Sequence, residues 1–176
     1  MMPLFFKMAT CNIGGRERRR AAMFSLPARK GFTLIELMIV VALFSLLAAI
    51  AVPAFNSYKR KLENAQAVTD ITKLEAEIER YRSTHIGAIP DVLTDLGITI
   101  PSDPWGQDYV YTPIEGNKVN KSMVRWDKNL KPINVDYDLY SIGPDGQSKQ
   151  KITHKDSLDD IIRANGGAYV GLASDY

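Results

Sequence analysis

The alternation of apolar and polar positions changes character three times along the chain. From Leu37 to Phe55 every residue is apolar except Ser45, and Phe32, Leu34 and Ile35 extend the run to about the twenty positions that a bilayer-spanning helix needs. One acid, Glu36, interrupts it, and Pro53 lies near its end. Beyond the run the pattern turns amphipathic. Leu62, Ala65, Val68, Ile71, Leu74, Ile78 and Tyr81 recur at spacings of three and four, which predicts a helix continuing to about Thr84, kinked where Pro53 removes a donor. Lys59 with Glu63 and Lys73 with Glu77 are expected as i,i+4 pairs on its outer face. After "STHIGAIPDVLTDLGI" the helical period ends, and Pro, Asp and Gly in "PSDPWGQD" predict a turn. Strands are expected at Tyr109 to Thr112, Met123 to Trp126 and Tyr137 to Ile142, and "ANGGAYVGLASDY" reads as a Gly-Gly break before a short apolar strand or coil. The fold class predicted is α+β: one long N-terminal helix packed on a small C-terminal antiparallel sheet, which needs the exported half of that helix to bury its apolar side.

Charge adds an orientation. Residues 1 to 31 carry seven basic groups and one acid, so the remainder holds 15 basic and 19 acidic groups and the mildly basic pI belongs to the N-terminal segment. No nucleic-acid surface is expected on the rest. Six basic residues (Arg16, Arg18, Arg19, Arg20, Arg29, Lys30) precede the apolar run against three (Lys59, Arg60, Lys61) after it. Positive-inside bias therefore predicts a cytoplasmic N-terminus and an exported C-terminal part. A cleavable secretory signal is the competing reading, but its apolar region should be shorter and lead into mature protein, whereas this one runs into another helix. Cys11, the single cysteine, lies in the basic segment and permits no intrachain disulfide.

The tract "KGFTLIELMIV", Lys30 to Val40, follows the basic leader and closely resembles the class III signal of type IV pilins and type II secretion pseudopilins. That resemblance implies cleavage by a prepilin peptidase between Gly31 and Phe32, N-methylation of Phe32, and an assembly role for Glu36. The physical chemistry is compatible. A carboxylate at the centre of a membrane helix costs on the order of 2.5 to 3.5 kcal/mol, less toward the interface, and calls for a partner. Cleavage creates one, because the new α-amino group of Phe32 is a cation near neutral pH. The pairing expected is Glu36 with the Phe32 amine of a neighbouring subunit; the alternative is an interfacial acid meeting Lys30 or lipid headgroups. "MFSLPARKG" from Met23 resembles a leader of ordinary length, so translation from Met23 instead of Met1 is a second reading.

The tracts "DPWGQDYVY", Asp103 to Tyr111, and "DLYSIGPDGQS", Asp138 to Ser148, resemble the C-terminal region of the major pseudopilin, the G subunit of that family. The resemblance implies a calcium ion pinning the last loop, with Asp145 and Asp160 as acids and Ile142 as carbonyl donor; oxygen-only ligation suits that ion. Three lysines and a histidine in "SKQKITHKDSLDD" depart from the acidic, glycine-rich loop expected there. A solvated "PDG" turn followed by a helix over Leu158 to Ala164, capped by Asp156 or Ser157, is the competing reading.

No catalytic set emerges. His85 and His154 lie outside any metal-binding pattern, and Ser141, His154 and Asp156 lack a nucleophile-elbow motif. Glu75, Glu77 and Glu79 read as a solvated helix face, and Trp105, Tyr109, Tyr111 and Trp126 as packing, since no basic run interleaves with them. The organisation expected is a cytoplasmic basic leader over 1–31, removed on cleavage; a transmembrane half of the helix over 32–55; its exported amphipathic half over 56–85; and a periplasmic globular α+β region over 86–176. The resemblance implies a structural subunit and not an enzyme. It would sit in the bacterial inner membrane by a single span and self-assemble, with other pseudopilins on an inner-membrane platform, into a periplasmic filament that drives type II secretion. The alternatives are a type IV pilus subunit for adhesion, motility or DNA uptake and, in a different class, a membrane-tethered enzyme or binding module.

Overall fold

The computed structural model describes residues 31–115 and 123–176. The rest of the leader, including Met23, lies outside the described residues. Helix α1 runs Leu34–Thr84 with Pro53 inside it, ending where the periodicity predicts. The chain divides between Leu43 and Phe44 into two compact units. In the first, the described residues from Gly31 to Leu43 are all exposed, as the apolar all-round pattern of a lipid-facing helix requires. An 18-residue window of α1 has a mean hydropathy of 2.7 with none of it buried, long and apolar enough to cross a membrane.

In the second unit the helix changes function along its length. Ala67, Ile71, Leu74 and Ile78 are buried, one face at spacings of three and four. Each large aliphatic side chain so buried contributes about 1.5 to 3 kcal/mol. Val68 and Tyr81 pack at the margin of this core, whereas Leu62 remains exposed, so the domain-facing stripe starts one to two turns later than the periodicity predicts. Lys59 does meet Glu63, at 3.2 Å. Lys73 turns instead to Asp70 at 3.1 Å, because Arg80 takes Glu77 at 2.6 Å.

A four-stranded antiparallel sheet covers that helix face. Its strands are β1 (Val110–Pro113), β2 (Tyr137–Ser141), β3 (Ile161–Ala164) and β4 (Tyr169–Leu172), in spatial order β1-β2-β3-β4. Tyr137, Leu139 and Ile161 join the helix residues in one core, with Leu93 and Leu96 of a short 3₁₀ turn closing it. Ile162, Ala164, Ile152, Ile133 and Ala173 form a second cluster. Two expectations are corrected. Met123 to Trp126 is not a strand; Trp126 makes one isolated bridge, to Lys151. The helix proposed over Leu158 to Ala164 is replaced by β3, whose four residues are all buried and so show neither period.

Arg163 of β3, 2 % exposed, ties the layers together. Its Nε donates to Glu75 on α1 at 2.9 Å, its two terminal nitrogens donate to both oxygens of Asp136 at 2.9 and 2.7 Å, and it lies over the ring of Tyr137. Glu75 is therefore not part of a solvated acidic face. Burial alone would raise the Asp136 pKa, but hydrogen bonds from Arg163 and the Tyr137 N–H outweigh it and hold the carboxyl below its ordinary value of 3.8. A carboxyl whose pKa is depressed on folding stabilises the fold above its unfolded pKa and loses that contribution as pH falls through the folded one. Chemical denaturation of the full chain in detergent should show wild type losing stability on acidification below about pH 3.8. Asp136→Asn should be less stable at neutral pH and lose less over that acidic window.

Candidate functional site

Two regions hold the residues singled out from the sequence. The first is the start of α1. Thr33 precedes the helix, and both its backbone N–H (2.8 Å) and its hydroxyl (2.7 Å) donate to Glu36 Oε2, while the Glu36 N–H donates back to Thr33 Oγ1 at 3.3 Å. This is a capping box: the helix's first donors are satisfied reciprocally by a Thr and a Glu three positions apart. Glu36 also places negative charge in the first turn, where the helix dipole favours it. Among the described residues no hydrogen bond reaches Glu36 Oε1. The "T-x-x-E" signal was present in the sequence, and it gives Glu36 a role within its own chain that its place in an apolar run had concealed. Gly31 and Phe32 lie just ahead of the helix, outside it and exposed.

The second region brings together the two C-terminal tracts. Asp103, 5 % exposed, folds "DPWGQ" around itself: Oδ1 accepts the N–H groups of Trp105 (3.1 Å) and Gln107 (2.7 Å). Its other oxygen accepts the hydroxyl of Ser141, which in turn accepts the Gly143 N–H at 3.1 Å. Asp103 thereby locks the first tract to the second. Gly143 has φ +70°, and a Cβ there would sit 2.6 Å from the Asp159 carbonyl oxygen, so the turn needs glycine on both counts.

The expected calcium ligands are spread differently. Asp145 lies on the exposed turn, its Oδ1 accepting the Gln147 N–H at 2.8 Å, and its own N–H faces Asp159 Oδ2 at 3.4 Å. Ile142 precedes that turn, whereas Asp160 is fully buried and bound to Arg125 and Ser148. Asp160 is thus already compensated by a guanidinium. Among the described residues no three His, Cys, Asp or Glu side chains converge on a metal position. With Oδ2 held by both Arg125 and Ser148, Asp160 is committed to a guanidinium, a poor start for the oxygen-only shell of calcium. His154 Nδ1 accepts the Asp156 N–H at 3.2 Å, but Ser141 commits its hydroxyl to Asp103, so these three residues do not form a hydrolase triad. His85 stacks on Tyr81 at the end of α1, ring centroids 3.8 Å apart.

Comparison with known proteins agrees with this geometry. Residues 26–52 match the model of the prokaryotic N-terminal methylation motif. The type II secretion system core protein G of Vibrio cholerae is 32% identical over 111 residues, covering 51% of this chain and 74% of that protein. The chain belongs to the type IV pilin and type II secretion pseudopilin family. Within it, core protein G of Escherichia coli is 29% identical over 140 residues, covering 68% of this chain and 84% of that protein. The type IV major pilin protein PilE of Neisseria gonorrhoeae is 29% identical over 141 residues, covering 78% and 83%. No solved structure matches significantly. One long apolar helix among the described residues and these relatives fit a membrane-anchored pilin-family chain.

Substituting Gly143 by Ala tests the locked tracts. Thermal unfolding of the full chain should shift down by several degrees, since the new methyl group meets backbone and the positive φ is disfavoured.

Proposed function

We propose that this chain is a pseudopilin, a structural subunit of a periplasmic filament that drives protein export through a type II secretion system. The observation that carries the reading is the Asp103 lock, which joins the two tracts that resemble the major pseudopilin into a single folded feature. Several relatives carry the name core protein G, among them those of Dickeya chrysanthemi and Pectobacterium carotovorum. The chain also has one cysteine, Cys11, and so lacks the cysteine pair common in type IV pilins.

In this reading a prepilin peptidase cuts between Gly31 and Phe32, and Phe32 is N-methylated. The chain rests in the inner membrane through residues 32–55, with its sheet domain in the periplasm, until an assembly platform draws it into the filament. Glu36 then has two successive partners. Its Oε2 closes the capping box with Thr33, and its charge meets the Phe32 ammonium of the adjacent subunit. Moving an ion-paired carboxylate from lipid into a helix bundle recovers part of its insertion cost, which favours the register in which each Glu36 finds an amine. The pilus reading is supported by the similarity to PilE, which extends over most of both chains.

Deletion of the gene separates the two. Secretion predicts that exported enzymes accumulate in the periplasm while surface fibres persist; a pilus predicts lost fibres with normal export. Mass spectrometry of the purified filament protein should give an N-terminal methylphenylalanine at Phe32.

A further inference from the structure

Between β2 and β3 the chain makes a long excursion, 142–160, containing Lys149, Lys151, His154 and Lys155. Much of it converges on one side chain from elsewhere. Arg125, 1 % exposed, belongs to the segment beside the excursion: the Trp126 N–H donates to the Gln150 carbonyl at 3.0 Å, and the Ile152 N–H donates to the Trp126 carbonyl at 3.1 Å. Its Nη2 reaches Asp160 Oδ2 at 2.6 Å, and its Nη1 donates to Ser148 Oγ at 2.8 Å. Ser148 donates to the same Asp160 oxygen at 2.6 Å, closing a three-membered ring of contacts. Below, the guanidinium lies 4.1 Å from the ring centroid of Tyr140 on β2. Its backbone N–H donates to Asp138 Oδ2 at 2.7 Å, and Asn134 Nδ2 donates to the other Asp138 oxygen. One residue thus touches β2, the early part of the excursion and its last residue.

A carboxylate as buried as Asp160 requires a countercharge, and only a cation inside the fold can supply it. A divalent ion and a guanidinium are alternative countercharges for that carboxylate, and here the guanidinium already stands on Oδ2. We propose that Arg125 is the built-in cation of this connection, standing where the resemblance calls for calcium, so that the excursion stays closed without metal. The pair is end-on: Arg125 Nε and Asp160 Oδ1 are buried without a protein hydrogen-bond partner, so Ser148 and Tyr140 carry part of the positioning. The excursion's lysines fit the same arrangement. A loop already neutralised from inside tolerates three cations where a calcium-binding loop would be weakened by them.

The test uses the full chain in detergent, following thermal unfolding and trypsin cleavage at Lys149, Lys151 and Lys155. EGTA, and then millimolar calcium, should leave both unchanged in wild type. Arg125→Gln should open the excursion to trypsin and lower the melting temperature by at least about 6 °C, as expected for breaking a buried ion pair. Adding Asp160→Asn to that variant should recover part of the loss, because the stranded carboxylate is then gone. Should Arg125→Gln fail to fold, Ser148→Ala must lower the melting temperature without creating a response to EGTA. A wild-type melting temperature that falls in EGTA and returns with calcium would overturn the proposal, as would an Arg125→Gln variant that melts and resists trypsin like wild type.

Discussion

Helix and sheet meet around the guanidinium of Arg163, and the sheet-bearing part of the fold depends on that contact. Placing a charge with 2 % exposure between two layers carries a large desolvation cost. It is offset by four hydrogen bonds, to Glu75 from the helix, to both oxygens of Asp136 and to the Tyr137 carbonyl, and by the Tyr137 ring beneath the cation. The apolar face Ala67, Ile71, Leu74, Ile78 supplies the bulk of the attachment but is non-directional. Arg163 supplies register, since only one axial position of the helix brings Glu75 to the end of β3. A fold with short strands and, among the described residues, a single α-helix gains a unique docking position from it.

A second buried arginine works by the same chemistry on a different problem. Arg163 joins layers; Arg125 closes a connection. Both face acids that burial would otherwise push toward the neutral form, and the Asp160 pKa is indeed raised mainly by burial, with Arg125 and Ser148 opposing it. Asp138 is likewise raised by burial, opposed by the Arg125 N–H and by Asn134. Arg125, Asp138, Asn134, Ser148 and Asp160 therefore form one buried polar network, and loss of one member strands the rest.

How far the residues foretold this depends on the range of the interaction. The end of α1, the strands at Tyr109 to Thr112 and Tyr137 to Ile142, and the Lys59–Glu63 pair are governed by neighbours within a few residues, and they appear as expected to within one residue. β3 escaped because Ile161, Ile162, Arg163 and Ala164 are buried on both faces, which erases alternation and leaves an arginine inside. Met123 to Trp126 pairs only once, through the Trp126 backbone bonds to Gln150 and Ile152, while the Arg125 N–H goes to the Asp138 side chain. The Arg125–Asp160 contact spans 35 residues and leaves no local trace in the sequence. Thr33 is the opposite case: its signal was local and complete, but the resemblance around Glu36 drew attention to charge instead of to helix initiation.

In the proposed reading Glu36 answers to two demands, capping its own helix and offering a charge to another, and glutamine meets the first without the second. The direct measurement is filament yield from Glu36→Gln chains, alongside their cleavage at Gly31 and their helix content. The account predicts normal cleavage, unchanged helicity and a severe loss of filaments. Glu36→Gln filaments at wild-type yield would contradict it.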